Sequence, residues 1–386
     1  MGGTFIPSAQ FRVYGAFFLY ALALGGIYTR LGDIQLTMGI KQGALGAALI
    51  GVALGTQISL LFARTIVEKT GHRLGLLVLI PLLAVTQALA SLSPTPIMLF
   101  FTLMLSGLAI GTLEVIVNLE ADRVEHQLRR RIMNRAHAFW SFGFFAAGLV
   151  GLLAKQLQFD PFFHLALVAI GITPLVIFIF KGFSPAPARR SNSQARPLIS
   201  RPTKAIMALV VFTLSAMLLE GAGIDWSIIY MRDVFSASPL IATLAFSLGA
   251  LSQATLRYFA DGFIDRYGPQ RVAKTMLVLL GGGATLVTFA PTAGLALLGF
   301  VLIGAGASTI FPLAMSAAAQ RTDRDAATNV AALAQISFIT FLVAPPLLGF
   351  IGEYFGIRVS FGVALPLVVL SWFTLYALVP ESERIR

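Results

Sequence analysis

The 386-residue sequence contains no cysteine. That excludes disulfides, thiol nucleophiles and cysteine-bound metals. Charge is also scarce: Asp, Glu, Lys and Arg make up 12% of the chain, about half the share of an ordinary soluble domain. So few charges cannot cover a water-facing surface, which rules out the two or three soluble domains that the length alone would allow. The chain lacks the Gly-x-x-x-x-Gly-Lys-Ser/Thr loop that cradles nucleotide phosphates. It also lacks the short alternating segments of a membrane β-barrel. The opening MGGTFIPSAQFR has neither a charged leader nor a small-residue cleavage site, so the first apolar segment is expected to serve as its own insertion signal.

What the chain does have is apolar length. Hydrophobic residues make up 57% and mean hydropathy is +0.84. Twelve apolar segments are each long enough to span ~30 Å of hydrocarbon as a helix. The first six lie near 12–32, 44–67, 74–92, 95–122, 134–157 and 161–181, and the second six near 204–230, 239–262, 271–290, 292–318, 326–352 and 357–380. The expected fold class is an all-α membrane protein of twelve transmembrane helices in two six-helix bundles. Residues 1–181 form one bundle, 204–386 the other, and 182–203, rich in Pro, Ser and Arg, a flexible cytoplasmic linker.

The net charge of +11 would suggest nucleic acid in a soluble protein. Here the basic residues fall between spans, so no nucleic-acid partner is expected. With both termini inside, 23 of the 28 Lys and Arg lie on the cytoplasmic side, all but Arg30, Lys41, Lys155, Arg232 and Arg358. The expected location is a bacterial inner membrane. The expected partners are the lipid bilayer and a small-molecule solute, with the protein a monomer.

The halves repeat. FARTIVEKTG (62–71) aligns with FADGFIDRYG (259–268), an offset of 197 residues, the separation of Gly71 and Gly268. The same offset sets Gly26 over Gly223 and Tyr28 over Asp225. Parallel repeats of this kind place a binding site at their interface near the bilayer midplane.

Polar residues inside the spans are the candidate site. Glu114 lies nine residues before Arg123, about 13.5 Å along a helix and so near mid-membrane. Asn118 follows one turn later. An isolated carboxylate at that depth is expensive, so it faces a cavity, pairs, or takes up a proton. A structural hydrogen bond is the plainer reading. On the seventh span, Glu220, Asp225 and Trp226 cluster with Gly221 and Gly223, and Tyr230 follows. Trp226 either stacks on a ligand or anchors at the lipid interface. Arg30 and Asp33 are spaced to pair across one helical turn, as an outer gate, a solute contact or an interfacial ion pair. His137, one turn into the fifth span, couples protonation to a gate or simply holds a hydrogen bond. No cluster suggests a metal or other cofactor.

Four stretches carry a resemblance to the major facilitator superfamily, and within it to the YbjJ-like branch, relatives of the fucose permeases. They are Thr29-Arg-Leu-Gly-Asp33, Glu114-Val-Ile-Val-Asn118, Arg135-Ala-His137-Ala-Phe-Trp140-Ser-Phe-Gly143, and Glu220-Gly-Ala-Gly-Ile-Asp225-Trp226 with Tyr230-Met-Arg232-Asp233. The loops Glu68-Lys69-x-Gly71-x-Arg73 and Asp265-Arg266-x-Gly268-x-x-Arg271, with Asp261 leading the second, resemble the superfamily's loop signature. The resemblance implies a conformational latch at Glu68, Arg73, Asp261, Asp265 and Arg266. It also implies a secondary transporter working by alternating access. The expectation is proton-coupled uptake of a polar, sugar-like solute with the proton as coupling ion. Glu114 is the solute and proton carboxylate, with Asn118, Glu220, Asp225, Trp226, Tyr28 and Arg30 around it. Fucose permeases pair their fourth-helix Glu with a first-helix Asp, whereas Tyr28 stands in this chain's first span. The alternative is proton-driven efflux of drugs or metabolites. No enzymatic activity is expected.

Overall fold

The structure, a computed structural model, describes residues 8–129, 132–187, 201–321, 323–324 and 326–379. The centre of the expected linker (188–200), Arg130, Arg131 and both termini lie outside this set, as does the Arg64 side chain. Among the described residues every regular element is a helix. Eleven are long and apolar enough to cross a membrane: α1 Ala9–Met38, α2 Gln42–Ala63, α3 Thr65–Ala90, α4 Pro96–Leu128, α5 Met133–Gln156, α6 Pro161–Phe180, α7 Lys204–Phe235, α8 Pro239–Tyr267, α9 Pro269–Phe289, α10 Ala293–Ala319 and α11 Thr328–Phe355. A shorter apolar helix, α12 Ile357–Phe373, completes the twelve expected spans. The chain is thus an all-helical integral membrane protein.

Local sequence sets the ends of these helices. Thr95, Asp160 and Ser238 each accept the backbone N–H three residues on and are each followed by Pro. The oxygen satisfies an orphan donor, and Pro tolerates the first helical turn because its missing N–H has no partner there. At Gly71 and Gly268 the backbone takes φ 72, ψ 161 and φ 80, ψ 155. Only glycine adopts this region without strain. The two turns that match in sequence therefore match in backbone, at the same 197-residue offset.

The chain forms two compact units. One gathers residues 1–38 with 51–192, and the other gathers 39–50 with 193–386. Each contains an especially close helix crossing. In the first, a Cβ at Gly107 of α4 would stand 2.2 Å from the Val52 carbonyl of α2. In the second, a Cβ at Gly304 of α10 would stand 2.1 Å from the Gly249 carbonyl of α8. Gly304 and Gly249 are the 197-residue counterparts of Gly107 and Val52. In lipid, where no hydrophobic force drives helices together, close backbone approach over small residues supplies the packing.

Candidate solute and proton site

In the first unit the site is built on α4. Glu114 sits near the middle of this 33-residue helix. Its Oε1 accepts the phenol O–H of Tyr20 at 2.8 Å, and its Oε2 accepts the Asn118 amide at 3.1 Å. Asn118 also donates to the Glu114 carbonyl at 2.8 Å, which fixes its side chain along the helix. Tyr20 belongs to α1 and is only 1% exposed. The helix 1 partner of Glu114 is therefore a phenol two turns before Tyr28. The sequence reading passed over Tyr20, whose only signal is a hydroxyl inside an otherwise apolar stretch. Tyr28 stacks on Phe144 of α5, which in turn packs on Trp140, giving an aromatic run from α1 to α5.

Arg30 and Asp33 do pair, at 2.9 Å, where α1 breaks after Tyr28. Arg30 also donates to the Phe159 carbonyl at 2.9 Å and to Nδ1 of buried His164 at 3.1 Å, while Lys155 lies 3.7 Å from Asp33. These contacts tie the end of α1 to α5 and α6. The group stands apart from Glu114, since Arg30 follows Tyr20 by ten residues, about 15 Å along a helix. His137 meets the ring of Phe17 edge-on at 5.0 Å.

At the basic end of the same unit, the turn at Gly71 is fastened on both sides. His72, just after that glycine, contacts the buried carboxylate of Glu120. Arg123 approaches Glu120 at 3.6 Å, and Arg73 donates to the Lys181 carbonyl. Glu125 accepts the N–H groups of Ile132 and Met133 at 2.7 and 3.0 Å, holding the entry to α5. Glu68 is exposed. His72 was not singled out by sequence, although it sits inside the loop motif.

In the second unit, α7 brings Glu220 opposite Arg257 of α8, at 3.6 Å. Arg257 is 6% exposed, deep in a membrane helix. Its Nε donates to the Ser308 carbonyl of α10 at 2.9 Å. That carbonyl is available for a local reason: its usual helical partner would be the N–H of residue 312, which is proline. The helix breaks there, into Ala293–Ala307 and Ile310–Ala319. In sequence, Arg257 falls among the Lys and Arg expected on the cytoplasmic side. The Pro312–Ser308 spacing was the available signal for its role.

Trp226 is 1% exposed and packs beneath Gly349 of α11, so it does not reach a lipid interface. Asp225, one residue earlier, is half-buried. Tyr230 donates to the Val287 carbonyl of α9. Ser252 donates to the Val301 carbonyl at 2.7 Å, packing α8 on α10. Asp261 is half-buried and Asp265 exposed, at the basic end of α8, and the Arg266 guanidinium lies 5.3 Å from the Tyr267 ring. Among the described residues no three His, Asp or Glu side chains gather as a metal site.

The chain is similar to proteins of one kind along both halves. The Major Facilitator Superfamily profile matches residues 208–386, and the Sugar (and other) transporter profile matches residues 37–205. An uncharacterized transporter of Sinorhizobium fredii, y4wD, is 27% identical over 90% of this chain and 92% of its own. An uncharacterized MFS-type transporter of Yersinia pestis is 26% identical over 94% of each. Among solved structures, a D-xylose–proton symporter superposes with a TM-score of 0.74 at 15% identity, over 97% of this chain and 99% of its own. The fucose–proton symporter of E. coli superposes with a TM-score of 0.62 at 17% identity, over 96% and 98%. At such identities the structural likeness establishes the fold.

Proposed function

We propose that this chain is a transporter of the major facilitator superfamily, whose profiles match parts of both its halves, and that it takes up a polar, sugar-like solute together with protons by alternating access. The observation that carries this reading is Glu114 near the middle of α4, with each carboxylate oxygen accepting a neutral donor, one from Tyr20 and one from Asn118. Neutral hydrogen-bonding side chains around a carboxylate suit a hydroxyl-rich solute, whose O–H groups can join or replace them. The aromatic run Tyr28–Phe144–Trp140 offers a flat apolar wall of the kind that stacks on a sugar ring. The motif around Glu220, Asp225 and Trp226 supports a place in the YbjJ-like branch. The named activity of the xylose and fucose symporters that share its fold supports proton-coupled uptake. The excess of Lys and Arg between spans supports cytoplasmic termini in a bacterial inner membrane.

The test is reconstitution of the purified protein in liposomes under an inward proton gradient, with labelled sugars and polyols supplied outside. Accumulation of one of them against its gradient, abolished by Glu114→Gln, is the expected result. Accumulation by Glu114→Gln equal to that of the parent removes Glu114 from the site. Gradient-driven movement of amphiphilic drugs, with no sugar or polyol moved, replaces uptake with efflux.

A further inference from the structure

The three carboxylates in the membrane interior keep different company. Glu114 accepts two neutral donors, Tyr20 and Asn118. Glu220 faces the guanidinium of Arg257. Asp225 is half-buried on α7 and, among the described residues, has no hydrogen bond and no ion pair.

Among the described residues, the charges on the helices around α7 pair with other groups or stand nearer the basic end. On α8, Arg257 serves Glu220 and the Ser308 carbonyl. Asp261, Asp265 and Arg266 lie further towards the basic end of that helix, and Arg271 and Lys274 begin α9. Helix α10 carries no charged residue. On α11 the only charge is Glu353, which contacts Lys41 at 3.5 Å and accepts the Gly43 N–H at 3.1 Å. On α12, Arg358 donates to the carbonyls of Thr288 and Ala290 and lies 5.2 Å from the Phe235 ring. On α7 itself, Arg232 pairs with Asp233 at 2.6 Å.

A bare carboxylate charge half-buried within a span is costly, and bearing a proton removes that cost. Glu220 has no such need, because Arg257 answers its charge. A proton on Glu114 would require Tyr20 or Asn118 to turn from donor to acceptor. We infer that Asp225, rather than Glu114 or Glu220, is the carboxyl that takes up and releases the coupling proton. This rests on the symport reading above and divides its labour: Glu114 meets the solute, Asp225 carries the proton.

The test that needs no solute is labelling with dicyclohexylcarbodiimide, which adds to protonated carboxyls in apolar surroundings. Full-length protein in liposomes is treated at acid and at alkaline pH, and the adduct is located by peptide mass mapping. The expected result is an adduct at Asp225 that fades as pH rises, with Glu114 and Glu220 unmodified. An adduct at either of those two in place of Asp225, or no adduct on any of the three, overturns the inference. Asp225→Asn should lose the adduct and, where the parent accumulates D-xylose or L-fucose under a proton gradient, lose that accumulation. An Asp225→Asn protein that accumulates sugar like the parent overturns it too. Should the amide variant not fold, Asp225→Glu should keep a pH-dependent adduct at residue 225, and its absence counts against the inference. A parent that accumulates neither sugar counts against the uptake reading alone, because the labelling uses no sugar.

Discussion

A hydroxyl in a greasy stretch of α1 decides how Glu114 is held. The Tyr20 O–H is buried and meets Oε1 at 2.8 Å. Hydrogen bonds to charged groups contribute about 1.5–3 kcal/mol. Tyr20→Phe should therefore lower the thermal midpoint of the detergent-solubilised protein. The same substitution in a Glu114→Gln background should cost clearly less, since the pair shares one interaction. Strictly additive effects on unfolding would mean that the two side chains do not act together. At this scale the sequence was informative about charge and poor about partners. Glu114, Asn118, Glu220 and Asp225 stood out because ionisable and amide groups are rare inside spans. Tyr20, His72 and Arg257 did not, because a phenol, a loop histidine and an arginine counted with the cytoplasmic charges each have ordinary explanations. Only the fold shows what they face. Trp226 makes the same point from the apolar side: its burial under Gly349 depends on α11, more than a hundred residues away in sequence.

Single helices show how a break becomes a feature. In α10 the pyrrolidine of Pro312 removes one donor and frees the Ser308 carbonyl, which Arg257 fills at 2.9 Å. Replacing Pro312 by Ala returns an N–H to that carbonyl and sets it in competition with Arg257. Hydrogen–deuterium exchange should then slow across residues 309–313, because the helix gains a bond and closes its break. Unchanged exchange there would mean that proline is not what opens the helix. The break in α1 after Tyr28 has a different cause, since no proline stands near it. There Arg30 turns its donors to Asp33, Phe159 and His164. The span limits were legible from hydropathy, and the caps were written plainly as Thr95-Pro96, Asp160-Pro161 and Ser238-Pro239. The interruptions inside spans were less so, because they depend on side chains from neighbouring helices.

For the whole molecule, the repeat seen in a ten-residue stretch extends to atomic packing. Gly71 and Gly268 share a backbone conformation, and Gly107 and Gly304 press on carbonyls that also correspond. Gly107→Ala and Gly304→Ala each force a Cβ to within 2.2 and 2.1 Å of a backbone oxygen. Overpacking of that sort costs about 1–3 kcal/mol, so both variants should melt earlier by similar amounts in a fluorescence-monitored thermal scan. A harmless alanine at either position would deny the close crossing. The polar residues do not follow the repeat. Phe311 stands at the counterpart of Glu114, Tyr28 at that of Asp225, Ala23 at that of Glu220 and Leu60 at that of Arg257. The repeat was therefore readable at its loops and close crossings, while the site had to be read residue by residue.

The paired glycine crossings have an evolutionary consequence. Where a methyl group would strike a backbone oxygen, any other amino acid costs stability, so drift at Gly107 and Gly304 is held back. The acids inside the spans and their partners carry no such constraint from the repeat, and each can be exchanged in one half while the other half stays as it was. A lineage with this frame can change what it recognises through a few substitutions along α1, α4, α7 and α8 and keep its crossings intact. Descendants of one ancestor would then share their glycines long after they had ceased to share a diet.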